Sequence, residues 1–524
     1  MSRLVDLAPT STPATAAVAV ACVLLAILIK AAYFPSLDSR EPPLVRSTVP
    51  FIGHILGLMQ HESDYFTRLV LRRRLPIGTL PMLNGKVYLI SSPTLVAAAF
   101  RSRDLSFSPF ALEFSGPLLD VPPRDLGPER WGAPGWMETM ETTIHAALAG
   151  EKLRAMKAAC YREVARIVND EYGPGKGAVR IADPMAWLEE VIPRAFTRAL
   201  FGRGNPFGKE AIRAIWDFDA SVGILALGIA PRLLAPKGYA ARRLLQDTIT
   251  PWYEAGRWRD EDVSALLHDR AAKVEREATV PMSTLCRTEI NIPWASVTNT
   301  VPDMFWLLLN VFSRPRVLAR FREEAEELVT VVEEGGGRRR ATVAADRLMD
   351  KAYIASTYWE THRLYNDNIG NRRVMRDTVL RDTTDGREYF LKKGINVQLA
   401  VGPSHRDPAI WGPDADEFRP ERWLGATGAE EKRLRAALIP FGGGRNLCPG
   451  KSFAISEALG MLAVWVVGYD VEGAQVPRDT AAPMANTMRK PDWGGKDPAI
   501  TMKRREEWED VEWGFVVHDE TPSY

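Results

Sequence analysis

The sequence has few cysteines and no surplus of charge of either sign. Four cysteines, far apart, occur among its 524 residues: Cys22, Cys160, Cys286 and Cys448. Their spacings match no zinc site, and they are too sparse for a disulfide framework, so a reducing compartment is the simpler setting. The 67 basic and 66 acidic side chains leave a net charge of +1, which gives no reason to expect a nucleic-acid partner.

Compositional bias and internal repeats are also missing. The chain is 46% hydrophobic and 25% charged, which is too apolar for a disordered protein, and its glycines and prolines follow no collagen-like period. Length alone suggests about three domains of ~150 residues each. Because no linker after Phe51 is long enough to divide the chain, residues 51–524 are instead predicted to form one domain.

An apolar run lies near the amino end. Residues 14–29 contain one polar side chain, and the run reaches Phe34 if the Lys30 ammonium extends to the membrane surface. The length of this run is close to the ~20 residues that span a bilayer as a helix. More basic residues follow the run than precede it, which orients the body of the protein toward the cytosol. We predict a transmembrane helix within residues 1–36 and a stiff proline-rich connector at residues 37–50, with a cleaved signal peptide as the alternative.

Helical periodicity dominates the remainder, so the expected fold class is mainly α with small β-sheets. The glycine-rich stretch 333–340 is predicted to be a solvated loop. Helices are predicted at residues 185–201, 294–312, 317–332, 344–364 and 452–467, and β-strands at residues 85–91, 374–380 and 394–401.

The strongest chemical signal is a glycine-rich loop that contains one cysteine, Phe441-Gly-Gly-Gly-Arg-Asn-Leu-Cys448-Pro-Gly450. Glycines let the backbone approach a flat cofactor closely. Backbone N–H groups at the start of the apolar helix that follows would favour a thiolate. A lone buried cysteine is more often a small hydrophobic residue, but this ten-residue frame favours a functional one.

The loop resembles the F-x-x-G-x-x-x-C-x-G frame of the cytochrome P450 family, at Phe441, Gly444, Cys448 and Gly450. The resemblance covers nearly the whole chain after the predicted anchor. It implies the cytochrome P450 fold and haem b, iron protoporphyrin IX, as the cofactor. Cys448 would be the thiolate ligand of the iron, the metal site of the protein, where it donates electron density that favours O–O cleavage.

Two further family motifs precede the loop in the expected order. Glu360 and Arg363 resemble the E-x-x-R pair, and Arg422 resembles its third partner. Residues at i and i+3 share a helix face, so the first two can pair. The resemblance implies a hydrogen-bonded network that supports the cysteine loop. Taken alone, this spacing is more often a solvated helix pair.

The resemblance also suggests which residues contact haem. Arg373 stands where the family places an arginine for a haem propionate, with a surface arginine as the alternative. Asn446 replaces the arginine that the family usually has two residues before the cysteine, and Arg445 stands just before it. The family's W-x-x-x-R helix motif is missing. His145 is the best substitute for it, with simple packing or helix capping as the alternative. The candidate cofactor-binding residues are Cys448, Phe441, Gly442, Gly444, Gly450, Arg373, Arg445 and His145.

The segment expected beside bound oxygen departs from the family pattern. Residues 295–300 align with the A-G-x-(D/E)-T-T segment, in which an acid and an alcohol deliver protons. Thr298 replaces the acid and Asn299 replaces the alcohol, followed by Thr300, and these three are the candidate catalytic residues. An amide holds water but supplies no proton at neutral pH, so we expect a relay through ordered water and a threonine hydroxyl.

The string from Asn299 to Trp306 is similar to the family branch of the sterol 7α- and 12α-hydroxylases and prostacyclin synthase, whereas residues 418–423 look like fungal microsomal members. Two chemistries stay open. The first is a monooxygenase of secondary metabolism that oxidises a bulky steroid or terpenoid in the endoplasmic reticulum membrane. Its electrons would come from NADPH through NADPH–cytochrome P450 reductase, and cytochrome b5 would be a further partner. The second is an isomerase or dehydratase that rearranges a peroxide substrate and needs no reductase.

Two segments are candidates for contact with lipid or substrate. Residues 221–236 are strongly apolar and interrupted by Gly and Pro, which suits either a loop dipping into membrane lipid or a buried helix end. Asp367, Asn368 and Ile369 follow the E-x-x-R helix, where relatives line the pocket. The polar side chains of Asn366, Asp367 and Asn368 are predicted to hydrogen-bond a hydroxyl or ketone of an otherwise apolar substrate.

Overall fold

The computed structural model describes residues 20, 22–24, 37–47, 53–82, 85–126, 135–277, 280–334 and 338–517. Helices with small sheets make up this part of the chain, in agreement with the expected fold class. Most of the predicted anchor at residues 1–36 lies outside the described residues.

The α-helices and 3₁₀ helices cover most of the described chain. The α-helices are Ile55–Arg73, Pro93–Arg101, Ser108–Leu119, Pro123–Leu126, Trp136–Ala147, Gly150–Tyr172, Pro184–Phe201, Lys209–Asp219, Val222–Leu227, Pro231–Leu234, Pro236–Glu254, Ala265–Glu277, Met282–Glu289, Asn291–Val297, Thr300–Phe312, Pro315–Glu326, Ala352–Tyr365, Gly402–His405, Pro408–Trp411, Gly428–Ala437 and Lys451–Gly468. The 3₁₀ helices are Gly202–Gly204, Arg257–Arg259, Ala345–Asp350, Pro420–Trp423, Gly444–Asn446 and Glu506–Trp508.

The described strands form five sheets. The largest has five strands in the order Ile77–Met82, Gly85–Ile90, Asn396–Ala400, Ile369–Val374 and Leu105–Ser106, antiparallel except between Gly85–Ile90 and Asn396–Ala400. Two further sheets have three strands each. The strand order is Tyr469–Glu472, Ile500–Arg504 and Val179–Ile181 in one sheet. It is Val511–Val516, Arg338–Ala344 and Val329–Glu334 in the other. The pairs Arg478–Thr480 with Lys490–Asp492 and Thr378–Arg381 with Glu388–Leu391 complete the set.

Two apolar helices occupy the centre of the main hydrophobic core. In Thr300–Phe312 every residue except Pro302 is buried, and in Lys451–Gly468 burial is continuous from Ile455 onward. A helix that is apolar on all sides is stable in water only when other elements surround it. Among the described residues, Lys451–Gly468 is also the one helix long and apolar enough to span a bilayer, and 83% of it is buried inside the protein.

The predicted helix over residues 294–312 is wrong in one respect that matters for function: it is broken. One helix ends at Val297, and the next begins at Thr300. Pro302 lacks an N–H group and so donates no hydrogen bond to the carbonyl of Thr298, which makes it compatible with the first turn of a new helix but not with the interior of a continuous one. Asn299 therefore lies at a break between two helices.

Four other predicted elements differ from the structure. The predicted helix 344–364 is the 3₁₀ helix Ala345–Asp350 followed by the α-helix Ala352–Tyr365. The predicted helix 317–332 ends at Glu326, because Val329, Thr330, Val331 and Val332 are β-branched and pair with Arg338–Ala344 as a strand. The hairpin formed by the strands Val329–Glu334 and Arg338–Ala344 also includes most of residues 333–340, which were predicted to be a loop. The predicted strand 374–380 is divided between two sheets.

The described part of the proline-rich connector is fixed to the domain. Glu41 pairs with Lys86 and Lys392 and accepts a 2.7 Å hydrogen bond from the Tyr88 hydroxyl. Thr79 donates to the carbonyls of Pro42 and Pro43. The segment therefore lies along the largest sheet.

Candidate active site

A cavity of about 310 Å³ brings together residues from distant parts of the sequence. Its walls are mostly apolar, with a few polar side chains, which is the usual composition of a small-molecule site. The lining residues used below are Ser296, Asn299, Thr300, Asp303, Tyr358, His362, Asn366, Asn368, Phe441, Cys448, Gly450, Phe453, Thr487 and Met488.

The loop from Phe441 to Gly450 presents Cys448 to this cavity. The Cys448 N–H donates a 3.0 Å hydrogen bond to the carbonyl of Phe441, which closes the loop. Gly442 and Gly444 have φ angles of +71° and +64°, a region that side chains disfavour. A Cβ atom on Gly444 would lie 2.1 Å from the backbone oxygen of Phe100. Gly444 is therefore required for packing against the helix Pro93–Arg101, and the expectation that the glycines serve approach to a cofactor stays a prediction.

The thiol of Cys448 experiences opposing influences. Burial raises its pKa, and the backbone N–H groups of Gly450 and Lys451 and the Lys451 ammonium act in the opposite direction. Burial is the largest of these effects. Coordination to a metal ion deprotonates a thiol outright.

Glu360, Arg363 and Arg422 come together in one buried network. Arg363 donates two hydrogen bonds to the Glu360 carboxylate, at 2.9 and 2.8 Å, and Arg422 donates a third at 3.3 Å. The backbone N–H of Arg419 and the indole N–H of Trp423 add two more, each at 3.0 Å. Both Glu360 and Arg363 are fully buried. A charge pair in this position is tolerated because its hydrogen-bonding capacity is used.

The network reaches the cysteine loop through His405. Arg363 donates to the carbonyl of His405 at 2.9 Å, and Nε2 of His405 accepts a 3.1 Å hydrogen bond from the N–H of Ile439. Burial lowers the pKa of His405 to about 4. A neutral ring is what this geometry requires, because a protonated Nε2 could not accept.

The predicted haem-contacting residues other than those of the loop do not converge on the cavity. Arg373 donates to Asn396 and pairs with Glu113 on the surface, and His145 is exposed at the end of its helix. Arg445 is also exposed. The side chains of a strand alternate in direction, so the neighbour Arg372 takes the buried position instead. The assignments of Arg373 and His145 to haem stay predictions, and Arg372 is the buried arginine of this strand.

Sequence reasoning missed Arg372. Its guanidinium packs over the rings of Phe100 and Phe107, at 5.1 and 5.8 Å from their centres. Burial lowers its pKa to about 10, opposed by Glu141, and Arg445 lowers it further. A buried cation near the cysteine loop suits an anionic group better than the paired Arg373 does.

Asn299 and Thr300 line the cavity, whereas Thr298 is buried without lining it. Oδ1 of Asn299 accepts hydrogen bonds from the hydroxyl and the N–H of Thr487, at 2.8 and 3.1 Å. The Thr300 hydroxyl donates to the carbonyl of Ser296 at 2.8 Å. The cavity therefore receives an amide NH₂ group and a hydroxyl oxygen from the helix break.

Of the predicted substrate contacts, Asn366 and Asn368 line the cavity, whereas Asp367 and Ile369 do not. Asp367 is buried and forms an ion pair with Arg489, and it accepts a 2.9 Å hydrogen bond from Ser63. Ile369 packs against a separate hydrophobic cluster. The prediction for Asp367 is corrected on this ground: its carboxylate is already neutralised inside the protein.

Three buried polar residues of the cavity wall were not predicted: Asp303, Tyr358 and His362. A signal for two of them was present in the sequence. Asp303 follows Asn299 by four residues, which places both on one helix face, and His362 lies inside the E-x-x-R motif.

Comparison with known proteins finds similar sequences along most of the chain. The model of the family described as "Cytochrome P450" matches residues 240–492. A "Cytochrome P450 monooxygenase" of Gibberella zeae is 30% identical over 509 residues, covering 95% of each chain. "Cytochrome P450 monooxygenase nodJ" of Hypoxylon pulicicidum is 28% identical, over 92% of this chain and 93% of the relative. "Cytochrome P450 7A1" of Sus scrofa is 22% identical, over 83% and 87%.

The Glu360 network generates a stability prediction. Glu360→Gln keeps the shape of the side chain but removes the charge that five donor groups surround. Breaking a buried ion pair typically costs about 3–5 kcal/mol, so we expect a loss of unfolding free energy of that size. Thermal and denaturant unfolding followed by circular dichroism measure it. Glu388→Gln, at an exposed position, is the control, and equal losses in both variants would contradict the assignment.

Proposed function

The chain belongs to the cytochrome P450 family, and on that premise we propose that it is a haem-thiolate monooxygenase that oxidises a bulky lipophilic small molecule of the steroid, triterpenoid or other terpenoid class. The observation that carries the proposal is that Cys448 and Asn299, from the cysteine loop and the helix break, line the same cavity. The two relatives of highest identity given above are fungal proteins named monooxygenases.

The residues present fit a haem group. Cys448 supplies a sulfur ligand that faces the cavity, and Arg372 supplies a buried cation near the same loop for a carboxylate. When bound, haem supplies a thiolate-ligated iron that activates dioxygen with electrons from NADPH through a reductase. Phe441 and Phe453 add aromatic walls to the cavity.

We assign the handling of protons at the helix break to Asn299 and Thr300. Because Thr487 occupies Oδ1 of Asn299, the amide NH₂ is the group left to donate into the cavity. The Thr300 hydroxyl donates its hydrogen bond to the carbonyl of Ser296, which leaves its oxygen to accept a hydrogen bond from water. Neither side chain is an acid, so the proton itself comes from a water molecule that they hold.

The composition of the cavity supports a lipophilic substrate with few polar groups. Apolar side chains such as Phe453 and Met488 supply most of its wall. Asn366 and Asn368 are the predicted substrate residues that line it. One or two carboxamides in an apolar cavity orient a hydroxyl or ketone, and a substrate lacking that group leaves them unpaired.

We also propose that the protein works at the endoplasmic reticulum membrane, with its catalytic domain in the cytosol. Beside the sequence pattern of residues 1–36, an apolar surface supports this. In segment 221–236, Leu233 is 79% exposed and Ile229 is 63% exposed. Exposed apolar patches of this kind suit lipid better than water. Membrane lipid, a reductase and cytochrome b5 are the partners proposed.

The second candidate function is rearrangement of a peroxide substrate without a reductase. Asn299 is the observation that favours it, because a neutral amide NH₂ can donate to a peroxide oxygen without delivering a proton. The same group is compatible with the monooxygenase. Electron consumption separates the two functions.

Substitution of the proposed iron ligand tests the cofactor. Cys448→Ala should abolish the ~450 nm band of the reduced carbon monoxide complex that family membership implies, because no thiolate remains for the iron. Cys160→Ala and Cys286→Ala are the controls. Both sulfurs are buried away from the cavity, and loss of the band in either variant would contradict the assignment.

Asn299→Ala tests the role of the helix break. The variant is assayed with the reductase and with a substrate that the wild-type protein oxidises. We expect the fraction of consumed NADPH that yields product to fall by about tenfold or more, because one positioned hydrogen-bond donor contributes ~10²-fold to the rate in comparable sites. Thr298→Val is the matched control, since Thr298 is buried on the same segment without lining the cavity. Full product formation from a peroxide without NADPH would instead favour the second function.

Membrane contact by segment 221–236 is tested with fluorescent labels in the full chain. A label on Leu233→Cys in a Cys22→Ser background should be quenched by spin-labelled lipid in vesicles. A label on Leu424→Cys, an exposed leucine in another segment, should not be quenched. Equal quenching at the two positions would show that the segment has no special contact with lipid.

A further inference from the structure

A cluster of three buried polar side chains lies on the cavity wall without a part in the proposed reaction. Asp303, Tyr358 and His362 are at most 4% exposed, and all three line the cavity together with Cys448. Nε2 of His362 lies 3.5 Å from Oδ1 of Asp303. The Tyr358 ring packs edge-on against the His362 ring, with 4.7 Å between their centres.

The polar atoms of this cluster are poorly satisfied. Within the described part of the chain, neither ring nitrogen of His362 has a hydrogen-bond partner, and the Asp303 carboxylate has only the Tyr358 hydroxyl beside it and Nε2 of His362 at 3.5 Å. Unpaired buried polar groups cost stability, and apolar side chains would fill the same space at lower cost. Stability alone therefore does not account for these three side chains.

The cluster contacts the loop that carries the iron ligand. The His362 ring packs against the Phe441 ring, with 5.1 Å between their centres. The backbone carbonyl of Phe441 accepts the hydrogen bond from the Cys448 N–H. Two contacts thus connect the imidazole to the residue whose sulfur would bind the iron.

We propose that Asp303, Tyr358 and His362 form a polar cluster that sets the reduction potential of the haem iron bound by Cys448. The inference rests on the proposed function, because it requires a haem thiolate. Reduction places one additional electron at the iron, and charges in a water-poor interior strongly affect the free energy of that step. The Asp303 carboxylate disfavours reduction, whereas the N–H of His362 and the O–H of Tyr358 favour it.

The three residues act through the iron and its ligand, so they are positioning residues. A carboxylate alone would make the iron harder to reduce. The imidazole ring nitrogen 3.5 Å from the carboxylate oxygen offsets part of that effect when it carries the ring N–H. Removing one member of the pair should therefore move the potential in the direction opposite to removing the other.

Spectroelectrochemical titration of the haem-loaded full chain tests the proposal. Asp303→Asn removes the charge at nearly constant volume and should raise the midpoint potential, by about tenfold in the reduction equilibrium or ~59 mV for one electron. His362→Phe keeps a ring against Phe441 and should lower the potential. Thr361→Val is the control: Thr361 is buried on the same helix and donates to the carbonyl of Thr357 at 3.0 Å.

Opposite shifts in the two variants, with an unchanged control, support the cluster. Unchanged potentials in both variants, or shifts of the same sign, overturn it. If His362→Phe does not bind haem, Tyr358→Phe supplies the second donor deletion, with a lowered potential expected and an unchanged one overturning the proposal. The carbon monoxide band should stay near ~450 nm in every variant, because Cys448 is retained. A wild-type protein that binds no haem would refute the proposed function instead.

Discussion

The carboxylate of Glu360 has no access to water, and the arrangement of the chain around it follows from that constraint. A buried charge is tolerated only with a full set of donors, and here they come from the helix Ala352–Tyr365 and from residues 419–423. Arg363 in turn binds the carbonyls of His405, Ala415 and Glu417. The segment between the helix and the cysteine loop is therefore held by hydrogen bonds to one buried ion pair.

His405 connects this hydrogen-bonded network with the cavity. Its Nδ1 lies 2.8 Å from the carbonyl of Asn366, a cavity residue, while its Nε2 accepts from Ile439 just before the cysteine loop. One neutral imidazole thus connects the end of the helix with the start of the loop. Phe441 and Cys448 then face the cavity because the loop closes on itself and packs against Phe100.

Local spacing predicted the parts of the site that depend on neighbours in sequence. Glu360 and Arg363 pair because a helix brings i and i+3 together, and the helix containing residues 452–467 follows from its apolar composition. Contacts between distant segments were beyond such reasoning. Asp367 and Arg373 looked available, but Arg489 lies 122 residues away from the first and Glu113 lies 260 residues away from the second. No pattern in a single sequence indicates those partners.

Asn299 shows how far the chemistry of the cavity depends on such partners. Its amide is oriented by Thr487, 188 residues further along the chain. The carbonyl of Thr487 accepts a 2.7 Å hydrogen bond from the N–H of Asp367, and the Asp367 carboxylate pairs with Arg489, two residues beyond Thr487. Arg489 also pairs with Asp64 and Asp479. The segment that carries Thr487, the partner of Asn299, is therefore held by the ion pairs of Arg489, and none of the residues in those pairs lines the cavity.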